Sequence, residues 1–285
     1  MRARTSLRDA PRATPALSDS LTRINQRQEL VTIELGAGTP EPSRRPMRRQ
    51  DRHHCAGILA EGLAGWHAIT ARWLQQEYGE APERTVAAHV RSWYLNVPAL
   101  AGALLFHHDR RVPWLRPADL SFRLAADGKP APETITLHSA AFACLPDDPA
   151  AGDPAATVVD CEHRLAALLR ARYAAHGAEF VRTYRPAVRF GSRNLWGAVT
   201  DALDISMWRA GKHAGDEAAG VADAALLLPE KSAPFTSAST LRQASGSNSH
   251  TEWTRRKESC CFHYLLADGK GECATCPRVV PPRRE

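Results

Sequence analysis

Over much of the chain beyond Arg52 the apolar positions fall at helical spacing. Ile58, Leu59, Leu63, Trp66, Ile69, Trp73 and Leu74 recur mostly at three- and four-residue steps, marking one face of a helix that ends near Gly79. Glu83 to Phe106 is a second, strongly apolar helical stretch, in which Pro98 is expected to kink or divide the helix. "CEHRLAALLRARYAAHGAEFVRTY" is amphipathic, with Leu165, Leu168, Leu169 and Tyr173 as its core face. In "SRNLWGAVTDALDISMW", Ser192 is the expected N-cap, and Leu195, Trp196, Val199, Leu203 and Met207 face inward.

Between these helices the period changes to two. "DLSFRL" alternates Leu120, Phe122 and Leu124, "TITLHS" alternates Ile135 and Leu137, and "AADGKPAPE" joins them, so a β-hairpin is expected. An isolated hairpin is marginal in water, so it must lie on the helices or gain further strands. "PDDPAAGDPAAT" reads as a loop and "LRQASGSNSHTEW" as a polar, flexible connector. The expected fold class is α+β, mostly α-helical, with a small hairpin or sheet and a C-terminal four-cysteine tail. Three parts are expected: an Arg/Pro-rich extension over 1–51, a helical body over 52–250 and a four-cysteine segment over 251–285.

The extension stands apart in composition. Through Arg52 it carries eleven arginines against six acids, with five interspersed prolines, and only "ELVTIELG" resembles a short strand. So little apolar surface predicts a mobile segment. Met47 offers an internal start site, and truncation there is expected to leave activity intact. The whole chain of 285 residues has a net charge of +6, with only five lysines, too diffuse to name a partner. No uncharged apolar run is long enough for a membrane helix and no apolar segment follows the first arginines, so a cytoplasmic monomer is expected.

That compartment changes the reading of the cysteines, because cytosolic thiols stay reduced and a tight group of them more often binds metal. Cys55, Cys144 and Cys161 are scattered and read as small packing residues, whereas Cys260, Cys261, Cys273 and Cys276 share one short stretch, "CCFHYLLADGKGECATCP". Close thiolates repel unless a cation shares their charge. Zinc and an iron–sulfur cluster both accept four such ligands. Cys273 and Cys276 form one Cys-x-x-Cys knuckle, but Cys260 and Cys261 are adjacent, which suits two iron atoms better than one tetrahedral ion. Gly269 and Gly271 supply the turn between them. His107–His108 reads as a helix terminus rather than a ligand pair, and His263 as a neighbour of the cysteines rather than a ligand.

"RRKESCCFHYLLADGKGECATCPR" resembles the C-terminal signature of the FhuF-like ferric siderophore reductases. The matching residues are Arg255, Arg256, Ser259, Cys260, Cys261, Phe262, Tyr264, Gly269, Gly271, Cys273, Cys276 and Pro277. Eleven residues separate Cys261 from Cys273, one more than that family's usual spacing, and the extra one falls in the turn. "RNLWGAVTDAL" in the body is similar too, with Arg193 and Trp196 in the shared motif, although a tryptophan on a helix face, like Trp66, Trp73 or Trp93, is first of all a core residue.

The resemblance implies one 2Fe–2S cluster on Cys260, Cys261, Cys273 and Cys276. It implies one-electron reduction of a ferric siderophore, of hydroxamate type in the first place, with release of Fe(II) in the cytoplasm, free or at the inner membrane face. An external ferredoxin or flavoprotein would supply the electron, since no flavin or nicotinamide motif is visible. Arg255, Arg256 and Lys257 would place positive charge beside the cluster and contact chelate or donor. Two rival readings stay open: a zinc-stapled helical binding protein without redox activity, and a general 2Fe–2S electron carrier. No nucleic-acid partner is expected, for basic and aromatic residues do not interleave.

Overall fold

The computed structural model describes residues 16–36, 47–245, 251–267, 271–273 and 275–278. Expectations for 1–15, for 37–46 and for Gly269 lie outside the described residues. In chain order the elements are α1 (Ala16–Asn25), β1 (Thr32–Leu35), β2 (His53–His54), α2 (Cys55–Glu61), α3 (Ala64–Tyr78), α4 (Glu83–Asp109), β3 (Val112–Pro113), β4 (Leu120–Leu124), β5 (Pro132–Leu137), β6 (Phe142–Cys144), β7 (Ala156–Val158), α5 (Glu162–Thr183), α6 (Ser192–His213), α7 (Glu217–Leu227), β8 (Arg242–Ser245) and β9 (Thr251–Thr254). The class is α+β and mostly helical. No described helix is long and apolar enough to cross a membrane.

Helix α4 is the axis of the molecule. Every residue from Val97 to Phe106 is buried, so this stretch is enclosed on all sides rather than amphipathic. Pro98 sits inside it without dividing the helix. Helices α3, α5 and α6 pack around α4, and α7 lies against α6. Gly211 and Gly220 permit that last crossing: a methyl group on Gly220 would sit 2.9 Å from Gly211 Cα. Asp216 caps α7 by accepting from Ala219 N at 2.9 Å.

The hairpin β4–β5 pairs Phe122 with Ile135 and Leu120 with Leu137, as the alternation predicts. It gains an outer strand on each side, giving the order β1-β5-β4-β2. Strand β1 joins β5 in parallel, with Ile33 opposite Ile135. A second sheet, β3-β6-β7, lay hidden in short runs around Pro113 and in the stretch read as a loop.

Four further expectations are corrected. The extension over 1–51 is not wholly mobile: Leu17, Leu21 and Ile24 of α1, with Val31 and Ile33, are buried in the main core. Arg111, itself buried, fastens α1 by donating to Ala16 O at 2.8 Å and Ser20 Oγ at 2.6 Å while pairing with Asp148. The first body helix is two helices, broken at Gly62, whose φ of 85° ends α2. Gly191, not Ser192, is the N-cap of α6. The connector before the cysteines contains an antiparallel pair, β8 and β9, with Gln243 opposite Trp253.

Candidate metal centre

The run from Asn194 to Met207 on α6 is uncharged except for Asp201 and Asp204, and both carboxylates are buried. Buried carboxylates require donors. Asp201 receives three from the tail: Glu258 N at 2.9 Å, Ser259 N at 2.8 Å and Ser259 Oγ at 2.6 Å. Arg255 donates to Asp201 O at 2.9 Å and lies 3.8 Å from Asp204 Oδ2. Asp204 accepts from Ser239 Oγ at 2.6 Å and Thr240 Oγ1 at 3.1 Å, so it ties the approach to the tail as well. Burial pushes the Asp204 carboxyl up, against these hydrogen bonds and the Arg255 charge.

Helix α4 grips the next residues. Arg91, fully buried, donates from Nη2 to Cys260 O at 2.9 Å, bonds Asn194 Oδ1 and stacks on Phe190 at 4.8 Å. Thr85 Oγ1 donates to Phe262 O at 3.0 Å. Phe262 takes a left-handed conformation, with φ of 56°, which turns the chain directly after the double cysteine. Gly197 supplies the remaining clearance: a methyl there would lie 3.0 Å from Glu258 O. The Trp-Gly pair in α6 thus matters through its glycine, while Trp196 is half-buried against the core and Arg193 is exposed.

These clamps seat the cysteine-bearing tail, whose thiols lie in neighbouring pairs. Cys260 lies beside the thiols of Cys261 and Cys276, and Cys273 beside that of Cys261. The two halves of the tail are tied by Lys257 N donating to Thr275 O at 3.0 Å, and the knuckle closes through Cys276 N to Cys273 O at 2.8 Å. All four cysteines are free; Cys260 and Cys276 are buried, Cys261 and Cys273 half-exposed. Among the described residues no three His, Cys, Asp or Glu side chains converge as the ligands of one ion do. Four sulfur donors, two of them adjacent in sequence, are a donor set that a two-iron centre accepts.

The thiols differ electrostatically. Burial raises Cys260, with Cys261 and Cys276 adding to the rise, although Phe262 N donates to its sulfur at 3.3 Å. Burial also acts to raise Cys273, but the Lys257 ammonium, 3.3 Å from its sulfur, and hydrogen bonds from Lys257 and Thr275 bring it below the ordinary thiol value. Of the three basic residues expected to contact chelate or donor, Arg255 is enclosed and spent on α6, so an external molecule does not reach it. Arg256 is exposed and donates to Pro277 O at 3.1 Å, and Lys257 rests on Cys273.

His263 stands beside the centre with its ring 5.3 Å from Tyr78 and 6.2 Å from His89. Cys55 and Cys144 are core residues, and Cys161 is exposed. His107 bonds Asp223 at 2.7 Å, which explains the His-His pair without a metal. Sequence reading missed Asp201, Asp204, Arg91 and Thr85. Two lone carboxylates in an otherwise uncharged stretch, Asn194 to Met207, were the available signal for the first two.

A family model described as the FhuF 2Fe-2S C-terminal domain matches residues 258–278. No curated protein and no solved structure matches the chain.

Proposed function

With the tail as an FhuF 2Fe–2S domain, and hence one 2Fe–2S cluster as the cofactor, we propose that this protein is a ferric siderophore reductase with Cys260, Cys261, Cys273 and Cys276 as the cluster ligands. The observation that carries the reading is the seating of the tail: a segment with four free thiols, held on a large helical body by Asp201, Arg91 and Thr85. A simple electron carrier has no use for so large a body. When bound, the cluster supplies single electrons to a ferric chelate. Ferric ion is gripped tightly by hard oxygen donors and ferrous ion far more weakly, so one electron opens the chelate.

The chain's own groups set the conditions. Lys257 and Phe262 N direct positive charge and an N–H at sulfur, which favours the electron-rich form of such a centre. Burial of Cys260 and Cys276 would limit water on one side of a bound cluster, while Cys261 and Cys273 would hold its more exposed side. The electron comes from an external ferredoxin or flavoprotein.

The test is air-free protein reduced with dithionite, freed of reductant and mixed with ferric siderophores in the presence of a ferrous-trapping dye. Reoxidation of the protein matched by trapped Fe(II) is expected. A reduced protein whose reoxidation rate ignores chelate identity would mark a general carrier instead.

A further inference from the structure

On one flank of α3, Arg48, Arg49, Arg72, Trp73 and Gln76 line an open cavity of about 390 Å3, within the size range of small-molecule sites. Its charge has one sign. Arg49 is fixed by donating to the carbonyls of Ala125 at 3.2 Å and Gly128 at 2.8 Å, which leaves its charge uncancelled. Arg48 and Arg72 are exposed, and no carboxylate among the described residues pairs with any of the three guanidiniums. Three unpaired guanidiniums around an aromatic wall recognise an anion with flat, delocalised oxygen donors.

The cavity's wall also leads to the metal centre. The Trp73 ring meets His89 edge-on at 6.0 Å and Trp93 at 5.8 Å, and His89 meets His263 at 6.2 Å, two residues beyond Cys261. His89 Nε2 is buried with no hydrogen-bond partner, although such a nitrogen ordinarily finds one. Burial first, then the charges of His263, Lys129, Lys257 and Arg91, hold this imidazole to a pKa of about 4, so it stays uncharged at neutral pH.

We infer that the Arg48–Arg49–Arg72–Trp73 cavity is the docking site for an anionic ferric chelate, catecholate or carboxylate in type, facing the cluster across the Trp73–His89–His263 array. This rests on the reductase reading and moves its preferred substrate from the hydroxamates, whose ferric complexes lack the matching negative charge. The redox step balances simply: the reduced centre loses one electron, chelated Fe(III) gains it, and the external donor restores the centre.

Binding and reduction are tested separately. A gallium(III) tris-catecholate, which accepts no electron under these conditions, is titrated into full-length protein by calorimetry and tryptophan fluorescence, beside a neutral gallium trihydroxamate. The anionic complex is expected to bind more tightly, to weaken with added salt, and to lose at least about tenfold in affinity in an R48A/R72A variant that keeps the wild-type visible spectrum. Equal binding of both complexes, or unchanged affinity in R48A/R72A, overturns the site even if ferric chelates are reduced. Arginine-dependent gallium binding without any ferric reduction supports the site and removes the reductase reading. R48K/R72K separates charge from geometry: partial recovery of affinity is expected, and a variant no better than alanine in a folded protein contradicts charge recognition.

Discussion

At the amino end, Leu17, Leu21, Ile24, Val31 and Ile33 enter the main core; at the carboxyl end, apart from its cysteines, the tail contributes only Leu266 among the described residues, in a small satellite cluster with Trp73, Leu74 and Val86. The first attachment is by apolar burial. Five such side chains at about 1.5–3 kcal/mol each amount to on the order of 10 kcal/mol gross, comparable to the net stability of a whole domain. The second is by hydrogen bonds onto buried charge, from Glu258 and Ser259 to Asp201 and from Arg91 to Cys260 O. Burial is non-directional and holds an element without aiming it. Hydrogen bonds have angles, and a metal centre needs its sulfurs aimed. The proposed chemistry therefore sits where attachment is polar, and the piece that reads as dispensable is one that puts five side chains into the core.

Deleting residues 1–46 tests the first half of that contrast most severely. The account expects loss of cooperative folding, or a fall in melting temperature too large to miss, read by thermal denaturation; an unchanged melting curve would detach α1 and β1 from the core. Asp201→Ala tests the second half. It strands three donors in a buried place, an expected loss of about 3–5 kcal/mol. Because the tail carries little of the core, that loss should appear as faster hydrogen exchange over 255–262 and as rapid bleaching of the centre in air, with the body still folded. If the body unfolds together with the tail, the two attachments are not separable.

Acid provides a smaller, reversible probe of the shared body. Burial holds His176 to about 4, against some help from Leu115 O, whereas the unfolded chain titrates near 6.5. Between those values the unfolded state binds the extra proton, so stability falls as pH drops through this window and is restored above it. The expected loss for His176 is on the order of 3 kcal/mol by pH 4, measured by urea denaturation across pH, and a flat profile would remove the assignment. Gly197→Ala should have the least effect. Its methyl presses on Glu258 O, so the tail shifts by a few tenths of an ångström, and hydrogen exchange should rise in the tail but not around α1.

The helices and the hairpin were legible because Leu165, Leu169 and Tyr173, or Leu120, Phe122 and Leu124, repeat at the period of their element. The tail was legible because four cysteines in eighteen residues are rare chemistry in a recognisable order. What escaped depends on contacts far apart in sequence. The apolar residues of α1 were diluted by arginines such as Arg23 and Arg27, which face outward or pair with Asp109. Strands of two or three residues, such as β3 and β6, are too short to display a period. Arg255 looked like a free cation beside the cysteines and is instead committed to α6, because its partners Asp201 and Asp204 lie some fifty residues earlier.

The central claim is that four tail sulfurs hold a two-iron centre, and iron and acid-labile sulfide counted on protein purified without oxygen address it most directly. About two of each per chain are expected, with visible absorption that dithionite bleaches and that Cys273→Ser removes. Pale protein carrying zinc and no labile sulfide, or full absorption retained by Cys273→Ser, would contradict it.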